Sequence, residues 1–536
     1  WNAAWQDAAY YNLAAIDCRR GNFKKALDLI DRSLVRNWHH HKARQLKVSI
    51  LRHLGRKEEA FDLIAESLKI DRFNMGCRFE QYLLTGDDHV LKEMQRLMHG
   101  AAHVYIEYAL DFAQAGLYDE AINLLGGYAA TQGEVYPMVH YALGYCHSRK
   151  GDTVKALEYY KKAEQDDHSY CFPNRIEEVL VLQDAMKENH EACAKAAYAL
   201  GNFWYAARQY DNAIACWEAS AAIDPAFPTV WRNLSLAYYN KRNDPQKAVE
   251  TLEKAYRLDE SDARILMELD QLYKRLGRPQ AERLAFLEAH PAETESRDDL
   301  SIERITLYNQ LGRYEEAKAL IAARKFHPWE GGEGKITGQY TICHVELAKI
   351  ALREHRYADA LALLQATDQY PYNLGEGKLI NAEENDIWYY KGLAYRGLGD
   401  EENAKLWLHK ATQGSAEPQQ AFFYNDAQPD KIFYQGLAWR ALGEEDKARG
   451  RFNKLIKHGE KHLFDHCRID YFAVSLPDLA IWEDNLDKRN AIHCNYVMGL
   501  GYLGLEDRVH AIEYLDKARA LDINHQGAQI HRELCE

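Results

Sequence analysis

The stretch KGLAYRGLGDEENAKLWLHKA, residues 391–411, carries a spacing of small, aromatic and apolar residues that decides the fold. An aromatic residue follows a small one after three positions, and glycine, alanine, a large apolar residue and a small residue follow at intervals of four, five, four and three. The residues at these positions are Gly392, Tyr395, Gly399, Ala404, Leu408 and Ala411. Apolar residues three or four apart form a buried stripe on an α-helix, and glycine ends helices. The stretch therefore predicts two packed helices joined by a turn at Gly399.

The same spacing recurs along most of the chain, for example in QGLAWRALGEEDKARGRFNKL at residues 435–455 and LGYCHSRKGDTVKALEYYKKA at residues 143–163. Twelve such turns can be placed, at Gly21, Gly55, Gly116, Gly151, Arg208, Asn243, Gly277, Gly312, His355, Gly399, Gly443 and Glu506. The pattern resembles the tetratricopeptide repeat, a pair of helices of about 34 residues. The resemblance implies an all-α fold, a right-handed α-α superhelical solenoid of about twelve tetratricopeptide-like hairpins.

The intervals between turns predict three parts. Residues 1–325 form an array in which two intervals near 60 residues predict degenerate units near residues 74–100 and 165–200. Residues 326–460 contain hairpins 43 or 44 residues apart, which leaves long Gly-rich loops between one hairpin and the next. Residues 461–536 hold a stretch unlike the repeat, residues 470–496, and then the last hairpin. Loops inserted at equivalent points of neighbouring repeats are expected to stack on one face, which is often a binding face.

Composition and charge narrow the function. The 536 residues contain 67 Lys and Arg against 81 Asp and Glu, a net charge of −14, which argues against nucleic acid as the main ligand. Basic peptides or neutral ligands fit this charge better. Ten cysteines at irregular spacing predict buried thiols and favour a reducing, cytoplasmic compartment. No apolar run has the length of a membrane span, and no cofactor is expected. The chain opens without Met and in helical register, so we expect natural sequence upstream.

Two similar loops, HPWEGGEGK at residues 327–335 and YPYNLGEGK at residues 370–378, suggest a phosphate-binding loop at first sight. That interpretation fails, because the glycine spacing is wrong and Ile336 and Leu379 stand where a hydroxyl ligand for magnesium is required. Two alternatives remain open. The loops are turns in which Glu333 and Glu376 cap the helices that follow, or they form a binding face with aromatic rings beside charged side chains.

A second cluster, residues 383–386, follows the second loop, and a similar one lies 44 residues further on. Carboxylates beside aromatic rings bind or cleave sugars, whereas Asn or Asp at a helix entrance also acts as an N-cap. The candidate binding residues of the loop face are Trp329, Glu330, Glu333, Lys335, Tyr372, Glu376, Lys378, Glu383, Asn385, Asp386, Asn425 and Asp426. No catalytic residue is assigned.

Histidines at helical spacing suggest metal ligands but lack a complete set. His462, His466 and Cys467 could share one helix face, and so could His99 and His103. A structural site needs about four ligands, and neither of these groups shows a complete set. No metal site is therefore predicted.

Two further stretches, FHPWEGGEGK to YNDAQPDKIFYQGLA and DYFAVSLPDLAIWEDNLDKRNAIHC, resemble the C-terminal half of large bacterial two-part proteins. In those proteins a mutarotase-like β-sandwich of unknown function precedes a tetratricopeptide array. The resemblance implies a scaffold that packs on or regulates an upstream, carbohydrate-related domain. The alternative is that loops 327–335 and 370–378 contribute to a glycan-binding or glycoside-hydrolase site. A third hypothesis is a regulatory scaffold that recognises peptides or self-associates.

Overall fold

The computed structural model describes residues 5–329, 331–421, 426–468 and 481–536. These residues form twenty-nine α-helices and one short 3-10 helix (Tyr372–Leu374), and they contain no β-strand. The predicted all-α class is therefore confirmed. Among the described residues, no helix combines the length and apolar character needed to cross a membrane.

The chain divides into two compact units, with the division between Leu234 and Ser235. The first unit contains α1 (Gln6–Arg19), α2 (Phe23–Arg36), α3 (His41–His53), α4 (Lys57–Ile70), α5 (Met75–Thr85), α6 (Asp88–Met98), α7 (Ala102–Gln114), α8 (Tyr118–Ala129), α9 (Pro137–Arg149), α10 (Thr153–Gln165), α11 (Ile176–Glu188), α12 (Ala194–Ala206) and α13 (Tyr210–Ile223). The division falls within α14 (Pro228–Arg242).

The second unit continues with α15 (Pro245–Leu258), α16 (Ala263–Arg275), α17 (Gln280–Glu288), α18 (Pro291–Ser296), α19 (Asp298–Gln310), α20 (Tyr314–Ala323), α21 (Lys335–Arg353), α22 (Tyr357–Ala366), α23 (Asn385–Gly397), α24 (Glu401–Ala411), α25 (Pro429–Ala441), α26 (Glu445–His462), α27 (Leu486–Gly504), α28 (Arg508–Leu521) and α29 (Gln526–Glu533). Each unit has its own apolar core, made of residues between Tyr11 and Leu200 in the first and between Val345 and Cys535 in the second.

All twelve turns expected from the sequence have left-handed backbone. The eight glycines have φ between 72° and 85°, and Arg208, Asn243, His355 and Glu506 have φ between 51° and 65°. A left-handed residue after the last helical turn lets its N–H satisfy a carbonyl that the helix leaves unpaired. The turn pattern therefore located the end of the first helix in each of the twelve predicted hairpins.

The first small residue of the motif is glycine where the second helix brings a large side chain against it. A Cβ at Gly436 would lie 2.3 Å from the Phe452 ring, and one at Gly201 would lie 2.4 Å from the Trp217 ring. The same closeness holds for Gly392 against Leu408, at 2.7 Å. The small and large positions of the motif therefore form one contact within each hairpin.

The two degenerate regions differ from each other. Near residues 74–100 the structure has a complete helix pair, α5 and α6. Near residues 165–200 it has one additional helix, α11, rather than a pair. Residues 166–175 precede α11 without forming a helix, and the buried side chains of His168 and Cys171 anchor that segment. The predicted part boundaries near residues 325 and 460 stay predictions.

Candidate functional site

The second unit contains a cavity of about 1180 Å³ whose wall is strongly acidic. It is lined by helices α21, α23, α25, α27 and α29 and by the loops before these helices. Among the described residues of the lining, two basic ones, Lys431 and Arg489, face nine acidic ones. The acidic residues are Glu333, Glu346, Glu376, Glu383, Glu384, Asp386, Asp426, Asp430 and Asp522. Low-dielectric walls that carry one sign of charge concentrate the field inside a cleft.

The C-terminal helices close the cavity by packing on hairpins from the beginning of the same unit. The Gln310 side chain donates to the backbone carbonyl of Asn524 at 2.8 Å, and the Gln529 side chain donates to the carbonyl of Gln310 at 2.5 Å. Arg283 donates to the Asn524 side chain at 3.2 Å. Because α19 thereby contacts the segment between α28 and α29, the second unit closes on itself.

The two similar loops stack on each other as the sequence predicts. The backbone N–H of Phe326 donates to the carbonyl of Asn373 at 2.8 Å. Gly375 has φ of 73°, and a Cβ there would lie 2.6 Å from the Phe326 carbonyl oxygen, so this position requires glycine for two reasons. Its neighbour Glu376 reaches the first loop, where its carboxylate accepts from the Gly334 N–H and the Thr337 hydroxyl, each at 3.1 Å.

Glu376 therefore caps the N-terminus of α21, the helix that follows the other loop. The expectation that it caps its own following helix is wrong. Glu333, by contrast, caps no helix, because its carboxylate accepts from the Gly331 N–H within the loop, at 2.7 Å. A carboxylate near unpaired N–H groups stabilises a helix N-terminus, and here the second loop supplies it to the first.

The end of the second loop is attached to the loop that follows it by two side chains. Glu383 Oε1 accepts from the Ser415 N–H at 2.7 Å, while its Oε2 is buried and has no hydrogen-bond partner among the described residues. The Asn385 side chain donates to the carbonyls of Ala411 and Gln413 at 2.8 and 2.7 Å. Asn385 is fully buried, and its two hydrogen bonds hold the second loop against the segment that follows α24.

Lys431 joins two of the cavity carboxylates. Its Nζ lies 2.6 Å from Asp386 Oδ1 and 3.3 Å from Asp430 Oδ2. Burial disfavours the ammonium, but the two carboxylates outweigh burial and raise the pKa of Lys431 above its ordinary value. Glu384 pairs with Lys378, yet burial still raises the pKa of the Glu384 carboxyl. The lysines neutralise only part of the acidic wall.

Two of the three histidines in the described cavity wall, His493 and His531, add no positive charge at neutral pH. Burial lowers the pKa of both His493 and His531 to about 4. His531 Nδ1 donates to the Gly527 carbonyl at 2.7 Å, which leaves Nε2 as an acceptor, buried and without a partner among the described residues. The cavity therefore presents carboxylates and a neutral imidazole, all of them acceptors.

Five of the predicted residues lie outside the cavity wall: Trp329, Lys335, Tyr372, Lys378 and the buried Asn385. The Lys335 ammonium sits over the Trp329 ring at 5.3 Å, and Tyr372 is 88% exposed. Lys378 donates to the Thr367 carbonyl at 2.7 Å and pairs with Glu384, so it supports the loop. The structure thus brings together five predicted carboxylates but not the predicted aromatic rings. The five are Glu333, Glu376, Glu383, Asp386 and Asp426.

Glu330 and Asn425 lie outside the described residues. Sequence reasoning also missed residues that reach the cavity from the inner faces of helices, among them Glu346, Lys431, His493 and His531. The available signal was a charged residue on a stripe that is otherwise apolar, as with Glu346, which is 5% exposed and pairs with Lys349 at 2.8 Å. The contribution from α29 had no local signal, because it depends on closure of the unit.

The histidines singled out near residue 466 bind carboxylates. His462 Nδ1 lies 2.6 Å from Asp465 and His466 Nδ1 lies 2.9 Å from Asp487, which also accepts from the Cys467 N–H. Within the described part of the chain, no group of three or more His, Cys, Asp and Glu side chains is arranged to hold a metal ion. All ten cysteines are free thiols, and nine are buried.

These hairpins define a helical-repeat protein, and comparison with known families agrees. One tetratricopeptide repeat model matches residues 108–170, 194–263 and 345–418, and another matches residues 432–458. The matched segments are therefore tetratricopeptide repeats, a class whose members act as protein-interaction scaffolds.

Among solved structures, the chain is similar to MamA (residues 41 to the end) from Desulfovibrio magneticus RS-1, with 21% identity, coverage of 37% of this chain and 97% of that chain, and a TM-score of 0.22. It is similar to YrrB, a TPR protein with an unusual peptide-binding site, with 15% identity, 45% and 96% coverage and a TM-score of 0.17. It is also similar to the APC/C hetero-tetramer Cut9–Hcn1, with 12% identity, 100% and 99% coverage and a TM-score of 0.26.

Proposed function

We propose that this chain is a protein-interaction scaffold whose second unit binds a positively charged peptide segment of a partner in the acidic cavity. The observation that carries the proposal is the described part of the lining, which contains nine acidic residues and two basic ones. Its volume of about 1180 Å³ exceeds the ~300–1,000 Å³ of a cavity for a single drug-sized ligand. A side chain of Lys or Arg supplies donors only, which complements the carboxylate acceptors of the wall.

The buried, unpartnered oxygen of Glu383 supports a cationic ligand. A buried carboxylate oxygen without a hydrogen-bond partner is costly, and a donor from a ligand would remove that cost. The neutral His531 imidazole supports it as well, because it adds no competing positive charge. The pairs that Lys378 and Lys431 make show that ammonium groups already occupy positions against this wall.

The proposal can be tested with two labelled nonapeptides, AKAKAKAKA and AEAEAEAEA, by fluorescence anisotropy. We expect only the lysine peptide to bind, and the triple variant Glu333→Gln, Glu383→Gln, Asp426→Asn should weaken binding about tenfold at low salt. The matched control, Glu402→Gln, Asp446→Asn, Glu460→Gln, makes the same charge change at exposed positions of the same unit outside the cavity. Equal weakening in both variants would show diffuse attraction to the surface and would exclude the cavity as the site.

A glycan is the second candidate, and one observation favours it. Tyr370 is half-buried in the same wall as Glu376 and Glu384, and carboxylates beside a ring can bind sugars. Calorimetric titration with maltohexaose and xylohexaose tests whether the cavity binds a glycan. Analysis of the products tests whether it also hydrolyses one. Binding that Tyr370→Ala abolishes, without any binding of the lysine peptide, would replace the peptide proposal. That the partner is an upstream, carbohydrate-related domain of the same polypeptide stays a prediction from the sequence.

A further inference from the structure

A short irregular segment, Ile481–Asp484, lies across α14 and α16 of the second unit, more than 200 residues away in sequence. Asn240 holds its backbone on both sides of Trp482: the side-chain amide donates to the Ile481 carbonyl at 2.8 Å and accepts from the Glu483 N–H at 2.9 Å. The Asn240 amide thus hydrogen-bonds the C=O of residue 481 and the N–H of residue 483. A neighbouring β-strand recognises an extended main chain through the same two kinds of group.

Trp482 anchors the segment between these bonds. The indole is 1% exposed, and its N–H donates to the Glu268 carbonyl at 3.2 Å. Its ring meets the Tyr239 ring edge-on, with 5.2 Å between the centroids. A buried aromatic side chain with a satisfied polar atom is the usual energetic centre of a peptide interface.

The charges at the rim are complementary. Glu483 pairs with Lys241 from the end of α14, and Asp484 lies 3.5 Å from Arg275 at the end of α16. Arg275 also donates to the Glu483 carbonyl at 3.3 Å. The groove thus offers two basic side chains and the segment two acidic ones, arranged around a desolvated tryptophan.

This arrangement differs from helix packing elsewhere in the unit. The segment has no helix of its own, and side chains of the groove hold its backbone, as they would hold a separate peptide. The groove is also distinct from the acidic cavity, since Tyr239, Asn240, Lys241, Glu268 and Arg275 are not in the cavity lining. The acidic wall of the cavity and the basic rim of the groove favour ligands of opposite charge.

We propose that the groove between α14 and α16 is a second peptide-binding site, which recognises an extended segment with tryptophan followed by two acidic residues. In this structure the chain's own residues 481–484 occupy the groove. A tethered ligand competes at an effective concentration of roughly millimolar, so a partner segment of the same chemistry must displace it or bind a chain in which it is weakened.

The test uses the full chain and a labelled heptapeptide, IWEDNLD, which repeats residues 481–487. In the double variant Trp482→Ala, Glu483→Gln the internal ligand is weakened, and we expect the peptide to bind at least about thirtyfold more tightly than it binds the unaltered chain. The control peptide IAEDNLD should bind that variant at least about thirtyfold more weakly than IWEDNLD. Adding Asn240→Ala should abolish binding.

A second measurement avoids any variant. The peptide IWEDNLD, labelled with heavy isotopes so that its mass differs from that of the chain, is added at millimolar concentration to the unaltered chain. It should displace residues 481–485, so that hydrogen exchange in that segment becomes faster. The control peptide IAEDNLD should leave the exchange unchanged. The proposal is overturned if the folded double variant binds both peptides equally or neither. If the double variant does not fold, unchanged hydrogen exchange of residues 481–485 in the unaltered chain is sufficient to overturn the proposal.

Discussion

At the scale of single residues, backbone geometry decides how well the turns were predicted. Eight of the twelve turn positions are glycine and four are not, yet all twelve share the left-handed conformation. The left-handed conformation costs a residue with a Cβ about 1 kcal/mol or more of conformational free energy. The positions could be predicted because the apolar spacing on either side fixes them, whichever residue stands at the turn.

Replacing Arg208 by glycine should stabilise the first unit. Arg208 is exposed and has φ of 59°, so glycine relieves strain at the turn, partly offset by the greater freedom it gives the unfolded chain. We expect a gain of up to about 1 kcal/mol in the free energy of unfolding. The matched control is Gly151→Ala, at φ of 82° with no atom within 4 Å of the added Cβ, which should cost about the same amount. Urea denaturation of both variants measures the difference, and a loss of stability in Arg208→Gly would contradict the account.

Glu376 and Glu333 are equivalent in sequence and different in role. Glu376→Ala removes the cap of α21 and should cost about 1–2 kcal/mol, whereas Glu333→Ala removes one bond within a loop and should cost less than about 0.5 kcal/mol. Thermal denaturation compares them directly. Equal losses would mean that the two loops do not depend on each other through Glu376.

At the scale of the elements, the motif predicts contacts within a hairpin but does not predict contacts between hairpins that are distant in sequence. The small residue at Gly436 and the large one at Phe452 are 16 positions apart and recur in each repeat, so the sequence exposes their pairing. The placement of α29 depends on hydrogen bonds such as Gln310 to Asn524, between residues with no shared pattern. That is why the carboxylates of the loops were predicted and the cavity residues of α27 and α29 were not.

The helix contact predicts opposite results for two glycines of neighbouring helices. Gly436→Ala forces a Cβ to within 2.3 Å of the Phe452 ring and should destabilise the unit by about 1–3 kcal/mol through overpacking. Gly450→Ala in α26 has no atom within 4 Å and should stabilise it by about 0.5–1 kcal/mol. Circular dichroism during thermal unfolding distinguishes them, and a neutral Gly436→Ala would show that the hairpin is looser than the structure describes.

At the scale of the whole molecule, burial of histidine predicts sensitivity to acid. Burial lowers the pKa of His493 and His531 to about 4, so between about pH 6.5 and pH 4 the unfolded chain binds more protons than the folded one. Stability therefore falls as the pH falls through this window, by about 2 kcal/mol per histidine between pH 7 and pH 5.

Glu346 and Glu384 act in the opposite direction. Burial raises the pKa of both carboxyls, so acidification favours their folded form. The histidine effect is isolated by comparing the unaltered chain with His531→Gln in urea at both pH values. The variant should lose about 2 kcal/mol less on acidification. An identical loss would show that His531 is protonated in the folded chain.

The central claim is that the cavity of the second unit receives a cationic segment, and hydrogen–deuterium exchange with saturating AKAKAKAKA tests it most directly. We expect slower exchange at the cavity wall, in peptides covering residues 333–346, 376–387, 426–434 and 489–496, and unchanged exchange in residues 5–234. Protection that spreads over both units, or that appears only away from these four segments, would contradict the claim.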